Sequence, residues 1–259
     1  DVHLPDQELL GLGVSIPGTI DQESGTLIKY KWLPNIANLA IGAELQRHFL
    51  VPVTFENTAN LMALGEMKFG RNRDLQNFIN MTIRSGIGCG VIINGQIVSG
   101  ENNLCGEVEY WRCPSVGSGD ALPELGELCS SSGIVQKVKD ELEKGAVSTL
   151  GAKTTIEKVI EAYGEGDSLA EKIIGESILT LSWALTQISL MLAPKKIILS
   201  GDLTALNSLW LEPILLQVGE LYKRLPMEPP TIELSTLGKN SAALGAASMA
   251  IQNWRLSRD

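Results

Sequence analysis

Strand-like and helix-like patterns alternate over the first 70 residues, and that βαβα order requires at least part of the sheet to be parallel. In LLGLGVSIPGTID, Leu10 to Ile16 reads as a buried strand closed by a Pro17-Gly18 turn. LAIGAELQRHF has amphipathic helical spacing, with Leu39, Ala43 and Phe49 inward. In VTFENTANLMALGE a β-branched and aromatic strand, 51–55, passes through a small polar cluster into a helix over 58–69 that Gly70 stops. A strand that hands over to a helix through such a cluster is a place where α/β proteins hold ligands.

The pattern then changes. Phe78 to Ile83 is a strand, SGIGCG reads as a turn, and VIINGQIV is a hairpin turning on Asn94-Gly95. A region punctuated by Gly and Pro runs from about 100 to 127. Helices are expected near 131–144, 154–163, 167–192 and 205–222, with Ser130, Ser131 and Ser132 as an N-cap region. KKIILSG and PTIELST are further strands. NSAALGAASMAIQNW is an Ala-rich helix whose small residues suit close packing on a sheet. Two α/β units separated by a helical block imply an α/β fold of two lobes, with a pocket where strand C-termini face the cleft.

Composition narrows the function. A net charge of −9 over 259 residues argues against direct nucleic-acid binding by this segment, because phosphate contacts need clustered Lys and Arg. No apolar run reaches the roughly 20 residues of a membrane span without polar interruption. ILTLSWALTQISLMLAPKKIIL reads as a buried helix followed by a strand. DVHLPDQELL lacks the basic start and apolar core of a signal peptide, and the abrupt entry into the first strand suggests a cut through a longer protein. Cys89, Cys105, Cys113 and Cys129 form no CxxC and read as reduced thiols, so a cytoplasmic location is expected. Trp32, Trp111, Trp183 and Trp210 read as core or interface, and His48 as a helix-end residue.

Six motifs in order then resemble the ROK family of bacterial repressors and sugar kinases. GLGVSIPGTID is similar to its GxGxxxPGxxD segment, and FENTAN to its xENDAN. TIRSGIGCGVIINGQIVSG resembles its glycine-rich hairpin, CGEVEY its AGEIGH, APKKIILSGDL its second-lobe strand, and LGKNSAALGAASMA its closing helix. The resemblance implies a two-lobed actin-like (ribonuclease H-like) ATPase fold whose opening phosphate loop lies upstream. On it, 1–70 is the remainder of the first lobe, with the helix of 240–259 packing back on it, and 71–239 is the larger lobe. A winged helix-turn-helix is expected further upstream, with operator DNA bound there and a homodimer formed.

The same resemblance assigns roles. The kinases' catalytic base is the Asp of ENDAN, and Thr58 stands there, a hydroxyl that cannot act as a general base near neutral pH. Glu56 lies two positions back and should point elsewhere. The phosphate hairpin is altered to a vestige, Ser85, Gly86, Gly88 and Gly90, with Arg84 in a glycine's place and Asp202 in that of another. A sensor that binds a sugar without phosphorylating it is therefore expected, with a remodelled sugar kinase and a ligand-free scaffold as alternatives. Asn57, Thr58, Glu107, Tyr110 and Glu127 take the sugar-contacting positions, with Glu124 as the alternative to Glu127. Asn57 alternatively serves only as a helix N-cap, Glu107 as a solvated loop residue and Tyr110 as a packed aromatic. Zinc is not expected, since Cys113 and Cys129 lack the CxC and His of the family's site, and ATP is not expected either.

Overall fold

In the computed structural model, which describes residues 9–30, 35–71, 73, 75–113 and 122–256, two parallel strand pairings set the frame. Trp32 lies outside the described residues. β1 (Leu12–Ile16) pairs in parallel with β5 (Val53–Asn57), placing Ile16 opposite Asn57. β6 (Phe78–Ile83) pairs in parallel with β9 (Lys196–Gly201), placing Ile83 opposite Gly201. β10 (Thr231–Leu234) extends this sheet on one side, and β7 (Ile87–Ile93) with β8 (Gln96–Ile97) extends it antiparallel on the other. Every residue of β6 is buried, as expected of a strand covered on both faces.

The period of two in β6 sorts its side chains. Ile79, Met81 and Ile83 enter the main core, which also holds Trp210 and the inward residues of α4 (Ser131–Glu143), α5 (Ile156–Gly164), α6 (Ser168–Leu192) and α7 (Ser208–Tyr222). Phe78 faces the other way, into a smaller cluster under α2 (Thr58–Phe69) and α8 (Ser241–Leu256). α6 is 25 residues long and apolar enough to cross a membrane by length and composition, contrary to the sequence reading. In the fold 61% of its most apolar window is buried, and it serves as a core helix.

Three expectations need correction. Between Gly18 and α1 (Ile41–Phe49) lies a three-stranded antiparallel sheet, β2 (Thr19–Asp21), β3 (Thr26–Lys29) and β4 (Ala37–Ala40). Strands of three or four half-exposed residues carry too little periodicity to be read. Leu39 belongs to β4, and α1 buries Gly42 and packs Ile41 and Leu45 inward, leaving Leu39, Ala43 and Phe49 exposed. SGIGCG is not all turn, because β7 begins at Ile87 and pairs Gly88 with Thr82 and Gly90 with Asn80.

Glycines let α2 sit unusually close to its neighbours. A Cβ at Gly90 would stand 2.4 Å from Ala59 O, and one at Gly88 2.7 Å from Ala59 Cβ. On the opposite side, a Cβ at Gly245 would lie 1.9 Å from Leu61 O, and one at Gly65 2.3 Å from Ser241 O. The small residues of α8 thus serve a helix–helix contact as well as its packing on β1, where a Cβ at Gly13 would meet Ala246 O at 2.0 Å. Gly245→Ala is expected to destabilise by roughly 2–3 kcal/mol through forced separation of α2 and α8. Gly175→Ala, in α6 with nothing within 4 Å, should stabilise by up to about 1 kcal/mol. Urea unfolding of the two variants checks the opposite signs.

Candidate functional site

Because both parallel pairs run the same way to their ends, the segments leaving β1, β5, β6 and β9 meet. They border a cavity of about 840 Å³, within the range of small-molecule sites. Ser15 lines it from β1 and Gly18 from the turn that follows, Asn57 to Ala59 from the β5–α2 corner, Arg84 to Gly86 from the end of β6, and Asp202 from the end of β9. The segment Cys105–Tyr110 closes one side. Gly106 makes that possible: its φ is +88°, and a Cβ there would stand 1.8 Å from Cys89 O. Cys89 N–H donates to Gly106 O at 3.1 Å, pinning the segment to β7.

The corner is built by its own polar side chains. Asn57 caps α2, its Oδ1 accepting the Ala59 N–H at 2.8 Å, and its Nδ2 donates to Gly18 O at 3.2 Å. The N-cap reading of Asn57 is thus correct, and the residue also lines the cavity. Thr58 Oγ1 lies 2.9 Å from Ser15 Oγ, and each hydroxyl keeps further hydrogen-bonding capacity. Glu56 is buried, accepting the Asn57 N–H at 2.7 Å and Asn60 Nδ2 at 3.0 Å, and does not line the cavity.

Glu107 and Tyr110 both line the cavity, Tyr110 at its half-exposed rim. Among the described residues no side-chain hydrogen bond engages Glu107. Burial, and after it the Glu109 carboxylate, push its carboxyl above the usual range. Burial, then Glu109, Glu107 and Glu124, raise the Tyr110 phenol, which stays a neutral donor. Glu127 is a correction. It is exposed on α3 (Leu125–Cys129), where its carboxylate accepts the Glu124 N–H at 2.8 Å in a capping box, and Glu124 is the one that lines the cavity.

Of the four hairpin positions, Ser85, Gly86 and Gly88 reach the cavity and Gly90 does not, being covered by α2. Glu109 is 8% exposed, and its Oε2 accepts the Ile87 N–H at 3.0 Å. Ser15, Lys29, Tyr30 and Thr82 also line the cavity and escaped the sequence reading. Lys29 and Tyr30 fall at the unrecognised β3, whereas Ser15 stood in the quoted GVSI as the one polar residue. The family's zinc donor set does not fit here. Tyr110 replaces its His, Cys113 and Cys129 are fully buried thiols, and no metal-binding group of His, Cys, Asp and Glu occurs among the described residues.

The raised Glu107 carboxyl ties stability to pH. Its proton is bound more tightly in the folded state, so its contribution is present below the unfolded value of 4.5 and is lost as pH rises through the higher folded value. Glu107→Gln should therefore flatten the fall in stability above pH 4.5, measured as urea midpoints at successive pH values.

Residues 4–253 match the ROK family. A glucokinase of Halalkalibacterium halodurans is 25% identical over 96% of this chain and 78% of its own length. A xylose repressor of Bacillus spizizenii is 30% identical over 95% of this chain but 62% of its own length, so the chain spans less than two thirds of that relative. A solved ROK glucokinase of Streptomyces griseus, in complex with glucose and AMPPNP, superposes with a TM-score of 0.81 at 20% identity, over 95% of this chain and 83% of that one. That likeness establishes the actin-like ATPase fold alone. With the match running over nearly its whole length, this chain belongs to the ROK family.

Proposed function

We propose that this chain is the effector-binding part of a ROK transcriptional regulator, which takes a sugar or sugar derivative in the cavity without phosphorylating it. The observation that carries this reading is the β5–α2 corner. The side chain presented there is Thr58, hydrogen-bonded to Ser15, while the adjacent carboxylate of Glu56 is buried in bonds to Asn57 and Asn60. A hydroxyl so placed cannot take the proton of an attacking sugar hydroxyl near neutral pH. It can still exchange hydrogen bonds with a polyol, and Glu107, with Tyr110 at the rim, supplies a carboxylate and a phenol to the same space. Asn57 contributes mainly by shaping the corner.

Sugar binding would act by differential affinity for two arrangements of the parts that border the cavity. In the cytoplasm, within a homodimer, that difference would reposition DNA-binding segments outside this acidic stretch. The xylose repressor relative supports this reading. A second reading, a hexose kinase, is favoured by the glucokinase relative and by Glu107, whose raised carboxyl is a pocket group able to accept a proton.

Calorimetric titration of the full-length protein with glucose, xylose and N-acetylglucosamine, beside a coupled assay for ATP turnover, separates the two. The expected outcome is saturable binding of at least one sugar, no turnover, and at least ~10-fold weaker binding by Glu107→Gln, equivalent to ~1.4 kcal/mol. Phosphorylation of any of these sugars would overturn the proposal. Asn57→Ala is a poor probe because it also removes the cap of α2.

A further inference from the structure

Turns rich in glycine hold anions where backbone N–H groups point into a space that no side chain fills. The turn leaving β6 has this form. Gly86 puts no side chain of its own into the space beside it, and the next N–H, that of Ile87, points towards that space. The turn is also held rigid, since Ser131 N–H donates to Arg84 O at 2.7 Å and the Ser132 hydroxyl donates to Ser85 O.

That space is already taken by the protein. Glu109 Oε2 accepts the Ile87 N–H at 3.0 Å and lies 2.5 Å from where a Cβ on Gly86 would stand. The segment carrying Glu109 is fixed by the contact of Gly106 with β7, and Gly126 packs behind it, a Cβ there falling 3.3 Å from Glu109 Cβ. An oxygen of an incoming phosphate would have to displace a carboxylate oxygen of like charge from its donor. Asp202, across the turn, is held by the Ser131 hydroxyl at 2.8 Å and offers a further carboxylate.

We infer that Glu109 is a built-in occupant of the anion cradle formed by Ser85, Gly86 and Ile87, a specificity determinant that bars nucleotides and sugar phosphates and leaves the cavity to uncharged sugars. The inference refines the sensor reading and rests on it for the sugar, while the blocked cradle is a property of the turn itself.

The test titrates the full-length protein with pyrophosphate, then with glucose against glucose 6-phosphate, for wild type, Glu109→Gly and Glu109→Gln. Glu109→Gly removes the occupant and should bind pyrophosphate at least ~10-fold more tightly than wild type. Glu109→Gln keeps the shape and removes the charge, and should gain several-fold. If the Gly variant does not fold, as judged by its thermal transition, the near-isosteric Gln variant decides. Equal pyrophosphate affinity in wild type and variants would overturn the inference, as would wild type binding glucose 6-phosphate as tightly as glucose. A gain for pyrophosphate with no sugar bound by any form would keep the blocked cradle and remove the sensor reading. Sugar binding with no gain for pyrophosphate would do the reverse.

Discussion

The seating of α2 against bare backbone on two sides is the contact on which the rest of the molecule depends. Glycines 88 and 90 on β7 and glycines 65 and 245 at the α8 crossing remove the side chains that would hold these elements apart. At these four positions even one added methyl would meet backbone or a side chain of the facing element, so the seating of α2 depends on their being glycine. Its N-terminus carries Asn57 and Thr58 to the cavity, and its length carries the small apolar cluster between the five-stranded sheet and α8. Fold and site are therefore held by the same contact.

Within the cavity, polar groups divide by how much of their bonding capacity the protein uses. Asn57 is engaged by α2 and Gly18, Glu109 by the turn after β6, and Asp202 by α4. Glu107 is left with its carboxylate towards the cavity and its charge opposed by burial and by Glu109. A buried polar group left without partners is costly, and a ligand hydroxyl that satisfies it recovers part of that cost. On the function proposed above, Glu107 is the group in the cavity with the most unused capacity for a ligand hydroxyl.

ROK relatives include kinases and repressors on one fold, so the fold is silent about which of the two this chain is. The distinction has to be sought in a few positions at one corner and one turn. At the corner the Thr58 hydroxyl is paired with that of Ser15, and at the turn the Glu109 carboxylate is paired with the Ile87 amide; on the function proposed above, the first denies a reacting hydroxyl its proton acceptor and the second denies phosphate oxygens their room.

Local pattern was enough for much of this architecture. The strand at Phe78–Ile83, the helix at Thr58–Phe69, the Asn94-Gly95 turn and the Ser130 cap were all legible, because each depends on residues within a few positions of one another. Sequence by itself also determined the family, since the order of motifs survives where each motif is weak. Tertiary structure alone decided which partners those residues take. It turned Glu127 into a cap rather than a cavity wall, gave Gly90 to helix packing, exposed Phe49, and brought Glu109 to the amide of Ile87 from 22 positions away. The physical reason is that a hydrogen bond or a steric contact is set by distance in space, which the spacing of residues along a chain encodes only when they share one helix, strand or turn.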